Sequence, residues 1–129
     1  MVLVDSSVWI DYLSPQISEI DQKLETLIRP NNQVVITGII FQEVLQGIRN
    51  QHSYQLTQKI MQRFPFLIPN TEIHLKAAEI FRTLSMKGKI PSTVDVLIAA
   101  LAVENRIPLF TLDKDFRTIK EYSDLELFV

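Results

Sequence analysis

The chain contains no cysteine, so disulfides and thiolate metal sites are excluded and the composition fits a reducing cytoplasm. Histidine is nearly as scarce: His52 and His74 are the only two, and they lack the close spacing of zinc ligands. Long apolar runs are missing as well. The longest, Val96 to Val103, falls far short of the roughly 20 residues a membrane-spanning helix needs. The apolar stretch at the start is interrupted by Asp5 and Asp11 and is preceded by no Lys or Arg, so it does not read as a secretory signal. Positive charge is not in excess. Lys plus Arg is 13 against 15 for Asp plus Glu, and the net charge of −2 leaves room only for a local basic patch on any nucleic acid. There is no internal repeat and no G-x-G-x-x-G, which removes dinucleotide binding from consideration.

What is present is a chain of 129 residues that is 47% hydrophobic, the size and composition of one globular domain. Strand and helix patterns alternate along it. Strands are predicted over 1–4, 33–36, 66–68 and 108–111, with a last edge strand over 125–129. Helices are predicted over 6–13, from Pro15 to about 28, and over 39–49, 53–63, 71–86 and 93–104. The segment Arg29-Pro30-Asn31-Asn32 reads as a turn, and Asn70 or Thr71 and Thr93 read as helix caps. Strands joined by helical crossovers imply a parallel sheet covered on both faces, an α/β/α three-layer sandwich.

Acids recur just past the strand patterns. Asp5 follows Met1-Val2-Leu3-Val4, and Asp113 follows Phe110-Thr111-Leu112. Asp95 sits between Pro91-Ser92-Thr93-Val94 and the apolar run that starts at Val96. In a parallel sheet all strand C-termini share one edge, where ligand crevices form. Clustered carboxylates repel one another, and a hard divalent cation such as Mg²⁺ is the simplest neutraliser.

Each acid also has an ordinary structural explanation. Asp5 suits an N-cap. Asp95 suits the first turn of a helix, where it complements the dipole by roughly 0.3–1 kcal/mol, and Ser92-x-x-Asp95 resembles a capping box. Glu43 lies off the Ile40/Val44/Ile48 stripe and reads as exposed charge. Asp113 and Asp115 read as turn residues. Joint placement at one edge is what sets them apart. Lys87, Lys89, Lys114, Arg117 and Lys120 lie in the loops beside Asp95 and Asp113, as ordinary solvated charge or as contacts to phosphate.

Four motifs in order then resemble those of the PIN-domain ribonucleases, in particular the VapC-type toxins of toxin–antitoxin pairs. They are Val2-Leu3-Val4-Asp5-Ser6-Ser7-Val8-Trp9-Ile10-Asp11-Tyr12-Leu13, Ile36 to Arg49 around Glu43, Ile90 to Ala100 around Asp95, and Leu109-Phe110-Thr111-Leu112-Asp113-Lys114-Asp115-Phe116. The resemblance implies Asp5, Glu43, Asp95 and Asp113 as catalytic residues that hold Mg²⁺ or Mn²⁺. It adds Ser6, Thr111 and Asp115 as residues that orient or support these carboxylates, and Lys89, Lys114 and Arg117 as RNA contacts. It also implies an RNA substrate, a VapB-like antitoxin partner, a homodimer, no membrane and a cytoplasmic location. Cleavage would proceed by in-line attack of water, with the RNA 3′-oxygen leaving and no histidine as general base. Asp5 and Asp95 would be central, and Glu43 would orient the water.

Other readings fit less well. A haloacid-dehalogenase-like phosphatase needs an acid where Ser7 stands. A receiver-like binding domain needs an acidic pair at the first strand and a phospho-acceptor Asp after the third, which instead ends in Pro69. A catalytically inactive PIN-like binding domain is the remaining alternative, and metal-dependent RNA cleavage discriminates it.

Overall fold

The computed structural model describes residues 1–30 and 32–129. Strands β1 (Val2–Val4), β2 (Val34–Thr37), β3 (Phe66–Leu67) and β4 (Leu109–Phe110) form one sheet in the order β3-β2-β1-β4. All three pairings are parallel, with Val2 opposite Val34, Leu3 opposite Leu109 and Ile36 opposite Phe66. Among the described residues seven helices flank the sheet: α1 (Ser6–Tyr12), α2 (Glu19–Ile28), α3 (Gly38–Gln46), α4 (Gln51–Met61), α5 (Thr71–Met86), α6 (Thr93–Asn105) and α7 (Asp115–Glu121).

Every residue of β1, β2 and β4 is buried, so successive side chains are covered on both faces. That is the signature of a sheet sandwiched between helix layers. The edge strand β3 is partly exposed and is bracketed by Pro65 and Pro69, which blunt it against further pairing. Thr37 at the end of β2 is buried and donates its hydroxyl to the Leu67 carbonyl at 2.7 Å, tying the two strand ends together.

Helix α6 buries Val96, Ile98, Ala99, Ala100, Leu101 and Ala102, residues spread around its whole circumference. It packs against α5 and α7 as an interior helix. Among the described residues no helix is long and apolar enough to cross a membrane.

Several boundaries depart from the sequence pattern. Helix α2 starts at Glu19 rather than at Pro15, because Ser18 and Asp21 form a capping box: Asp21 N–H donates to Ser18 Oγ and Ser18 N–H to Asp21 Oδ2. Ile17, read as part of that helix's stripe, is 87% exposed. Ser92, and not Thr93, caps α6. The strand expected over 125–129 reduces to one bridge, Leu127 beside Leu109. Helix α7 has no counterpart in the sequence reading. The turn expected over 29–32 includes Asn31, which lies outside the described residues.

The strand order decides where a site can form. From β1 the chain crosses toward β2, whereas from β4 it continues through α7 to Leu127 on the other side of β4. Adjacent strands whose connections leave in opposite directions open a crevice at their C-terminal ends. Here that switch lies at the C-terminal ends of β1 and β4, beside Asp5 and Thr111.

Candidate metal centre

Asp5 occupies the N-cap position of α1 in extended backbone, and its carbonyl accepts from Val8 and Trp9 N–H to start the helix. Its carboxylate makes no capping bond. The side chain is 4% exposed, and Oδ2 accepts instead from the Ser7 and Thr111 hydroxyls, each at 2.8 Å. With both hydroxyl protons committed to Asp5, Ser7 Oγ accepts from Leu112 N–H at 3.0 Å and Thr111 Oγ1 accepts from Asp113 N–H at 3.0 Å. The Ser7 and Thr111 oxygens, 3.3 Å apart, are therefore neighbours without a proton between them. Asp5 Oδ1 accepts no hydrogen bond from the described residues.

Ser6, one residue earlier on α1, donates to Glu43 Oε1 at 3.3 Å. Packing of α1 on α3 brings these two together. Glu43 is half-buried, contrary to the exposed position read from the helical wheel. Burial and the nearby Asp5 carboxylate raise its pKa above the usual range, opposed by the Ser6 hydrogen bond.

Asp95, Asp113 and Asp115 form the tightest group. Each offers a carboxylate oxygen within 4.8 Å of those of the other two. Asp95 comes from the first turn of α6, where its N–H is held by Ser92 Oγ at 3.0 Å. Asp113 lies past β4, and its Oδ1 accepts from Asp115 N–H at 2.9 Å, which starts α7 and turns Asp115 toward Asp95. Burial, and then the Asp113 carboxylate, push the Asp95 pKa up to about 6, with smaller contributions from Asp5 and Asp115. Among the described residues the single ion pair is Lys76–Glu79, so no Lys or Arg pairs directly with these acids. The donor set is all oxygen. It fits a hard divalent cation of the Mg²⁺, Mn²⁺ or Ca²⁺ kind and does not suit a soft metal.

The family model of the PIN domain matches residues 2–122. The chain belongs to the PIN-domain family. Among curated PIN-like relatives, the protein named ribonuclease VapC11 of Mycobacterium tuberculosis is 26% identical over 129 residues, covering 98% of this chain and 96% of that protein. The protein named ribonuclease VapC1 of Methanocaldococcus jannaschii is 29% identical over 122 residues, covering 94% of this chain and 82% of that protein. Among solved structures, VapBC2 from Rickettsia felis, bound to a DNA fragment from its promoter, superposes with a TM-score of 0.81 at 21% identity, covering 99% of this chain and 98% of that chain. This likeness shows that the fold is shared.

In this PIN domain the structure gathers the residues expected from the sequence into two linked groups. Asp5 with Ser7 and Thr111, and Glu43 with Ser6, make one wall. Asp95, Asp113 and Asp115 make the other, and Thr111 bridges the two by bonding both Asp5 and the Asp113 backbone. Asp115, expected only in a supporting place, stands in the tight trio. No sequence pattern marks Ser7 as part of the site. A serine two residues after an N-cap aspartate reads as an ordinary first-turn residue, and only the pairing of β1 with β4 brings it to Leu112. Lys89, Lys114 and Arg117 are all exposed, and Lys89 lines a cleft that reaches Asp115.

Proposed function

We propose that the chain is a divalent-cation-dependent endoribonuclease, the toxin of a VapBC-type toxin–antitoxin pair, acting as one nuclease domain in the cytoplasm. The observation that carries this reading is the set of acids, none paired directly with Lys or Arg, beside the C-terminal ends of β1 and β4 of a PIN fold. The names of the curated relatives support RNA as substrate.

Asp5 Oδ1, Asp95, Asp113 and Asp115 would hold Mg²⁺ or Mn²⁺. When bound, the cation neutralises the cluster, polarises a phosphate oxygen and acidifies an attacking water. Ser7 and Thr111 hold Asp5 Oδ2, which leaves Oδ1 as the oxygen without a hydrogen bond that a cation would take. Ser6 fixes Glu43, which would orient the water and take its proton. The RNA 3′-oxygen would depart in line with the attack and take a proton from solvent to leave as the 3′-hydroxyl. EDTA is expected to abolish cleavage and Mg²⁺ or Mn²⁺ to restore it, with products carrying 5′-phosphate and 3′-hydroxyl ends on end-group analysis. Cyclic phosphate ends would mean attack by the RNA 2′-hydroxyl and would overturn the mechanism. Metal-independent inactivity of a folded protein would favour a binding-only PIN domain.

The partner reading adds a VapB-like antitoxin and a homodimer. Expression alone is expected to arrest growth, and co-expression of the small protein encoded beside it is expected to relieve the arrest. Harmless expression of an active nuclease would refute the toxin role while leaving the enzyme intact.

Both Asp113 and Asp115 face Asp95, yet they are not equal. Asp113 is half-buried, donates its N–H to Thr111 Oγ1 and accepts from the Asp115 N–H that starts α7, whereas Asp115 is exposed. Asp113→Asn is therefore expected to lower turnover and apparent metal affinity more than Asp115→Asn, as read by activity titrated against Mn²⁺. The reverse order would move the fourth ligand to Asp115.

A further inference from the structure

We propose that the cleft between the α5–α6 loop and α7 seats one unpaired nucleotide of the RNA next to the acid cluster, with Lys89 on its phosphate and Thr118 reading its base; the proposal rests on the ribonuclease reading above. The cleft has a volume of about 250 Å³ and is lined by Lys89, Ile90, Pro91, Ser92, Asp115 and Thr118, among others. That is below the roughly 300–1,000 Å³ of sites that enclose a whole drug-sized ligand, and it suits one nucleotide rather than a length of strand.

Position is the first argument. Two lining residues belong to the machinery already described: Asp115 is in the carboxylate trio, and Ser92 holds the backbone of Asp95. A group lying in the cleft would be adjacent to whatever reacts at the trio.

The walls are the second argument. Ile90 is 74% exposed and stands beside Pro91, an apolar surface with no protein covering it. Opposite, on α7, the Thr118 hydroxyl has no hydrogen-bond partner among the described residues. Single-stranded RNA is read by splayed-out bases whose flat faces pack on side chains and whose edges are hydrogen-bonded. An apolar wall facing a free hydroxyl offers both contacts.

Lys89 supplies the third argument. It makes no ion pair among the described residues although it shares the cleft with Asp115. Its backbone is pinned: Lys89 N–H donates to Leu84 O at 2.9 Å, and Gly88 N–H donates to Ser85 O at 3.0 Å. Gly88 adopts φ 76°, a conformation that glycine takes without strain. The ammonium group is thus presented from a fixed loop to a ligand phosphate. In a chain with net charge −2, local contacts of this kind must replace a broad basic surface.

The test compares a single-stranded RNA oligonucleotide with bis(4-nitrophenyl) phosphate, a diester with no nucleobase or ribose to fill the cleft. Thr118→Val and Lys89→Ala are assayed with both substrates in Mn²⁺. Each is expected to lower the RNA-to-diester ratio of kcat/KM by roughly three- to tenfold, the loss of one hydrogen bond or phosphate contact, mainly through KM on RNA. Thr118→Val is also expected to alter which base is preferred beside the scissile bond, and Lys89→Ala is not. Parallel losses on RNA and diester, or an unchanged ratio, would overturn the proposal. A second arm titrates the four nucleoside 5′-monophosphates into ¹⁵N-labelled protein. Shifts at Lys89, Ile90 and Thr118 that are absent with inorganic phosphate support a nucleotide seat, and their absence overturns it. Wild-type protein that binds nucleotides there but cleaves no RNA would instead sink the ribonuclease reading, so the two failures are distinguishable.

Discussion

Asp95→Asn is expected to lower RNA cleavage by more than about 100-fold, beyond the 10- to 100-fold typical of losing a group that merely orients a ligand. The Asp113, Asp5 and Asp115 carboxylates all raise the Asp95 pKa, so Asp95 stands where their fields overlap. The change from carboxylate to amide keeps the shape and the Ser92 cap, which accepts the backbone N–H of residue 95. Circular dichroism should therefore be unchanged. Asp5→Asn should fall comparably, because the amide removes the charge held by Ser7 and Thr111. Ser7→Ala provides the graded contrast: it removes one of two hydroxyls on Oδ2 and is expected to cost roughly 10- to 100-fold. Steady-state kinetics with a labelled RNA reads all three. Full activity in Asp95→Asn would remove the trio from the chemistry.

In metal-free buffer the same substitution should raise the melting temperature, and the pH dependence says when. The Asp95 pKa is about 6 when folded and near 3.8 in its absence of structure, so between those values the folded state binds more protons than the unfolded one. Stability then falls as pH rises from about 4 to about 6, is undiminished by this group below 3.8, and carries the full penalty above 6. Glu43, also raised, acts with the same sign. The apo protein is thus expected to melt at a lower temperature at pH 7 than at pH 5 as far as these groups decide it, and Asp95→Asn should flatten that slope. Divalent cation should reverse it. At 100 times its dissociation constant a ligand adds about 2.7 kcal/mol, which corresponds to roughly 10 °C for a domain this size. Differential scanning fluorimetry with and without Mg²⁺ or Mn²⁺ reads both arms. A variant stabilised by metal as much as wild type would show that Asp95 is not a ligand.

Much of the fold was legible because buried parallel strands are short apolar runs and their crossovers carry helical periodicity. Val2–Val4, Val34–Thr37 and α5 follow their patterns to within a residue or two. Helix α7 was hidden for a physical reason. It has seven residues with only Phe116 and Ile119 buried, and its start is set by the Asp113 carboxylate rather than by an apolar stripe. The start of α2 was legible in principle, since Ser18-x-x-Asp21 is a capping pattern that outweighs the proline at 15.

The site divides in the same way. Asp5, Asp95 and Asp113 could be found from their places after strands or at a helix start. Glu43 could not be found from periodicity, because its burial comes from α1 packing across α3, a contact with no local trace. A strand running through Thr111, as the sequence pattern has it, places Asp115 further into the turn than Asp113. The strand ends at Phe110, which frees Thr111 to clasp Asp5 and lets α7 swing Asp115 toward Asp95.

The clasp on Asp5 joins residues 106 positions apart in the chain. A ribosome releases the chain from its start, so β1 and its aspartate emerge long before the threonine that holds them. Until β4 has emerged, β1 lacks one of its two neighbours and the carboxylates at 113 and 115 do not yet exist beside Asp95. A partly synthesised chain therefore holds no complete acid set. Any chemistry that needs the whole set therefore begins only after Asp113 and Asp115 have joined the fold, however early Asp5 takes its place in β1.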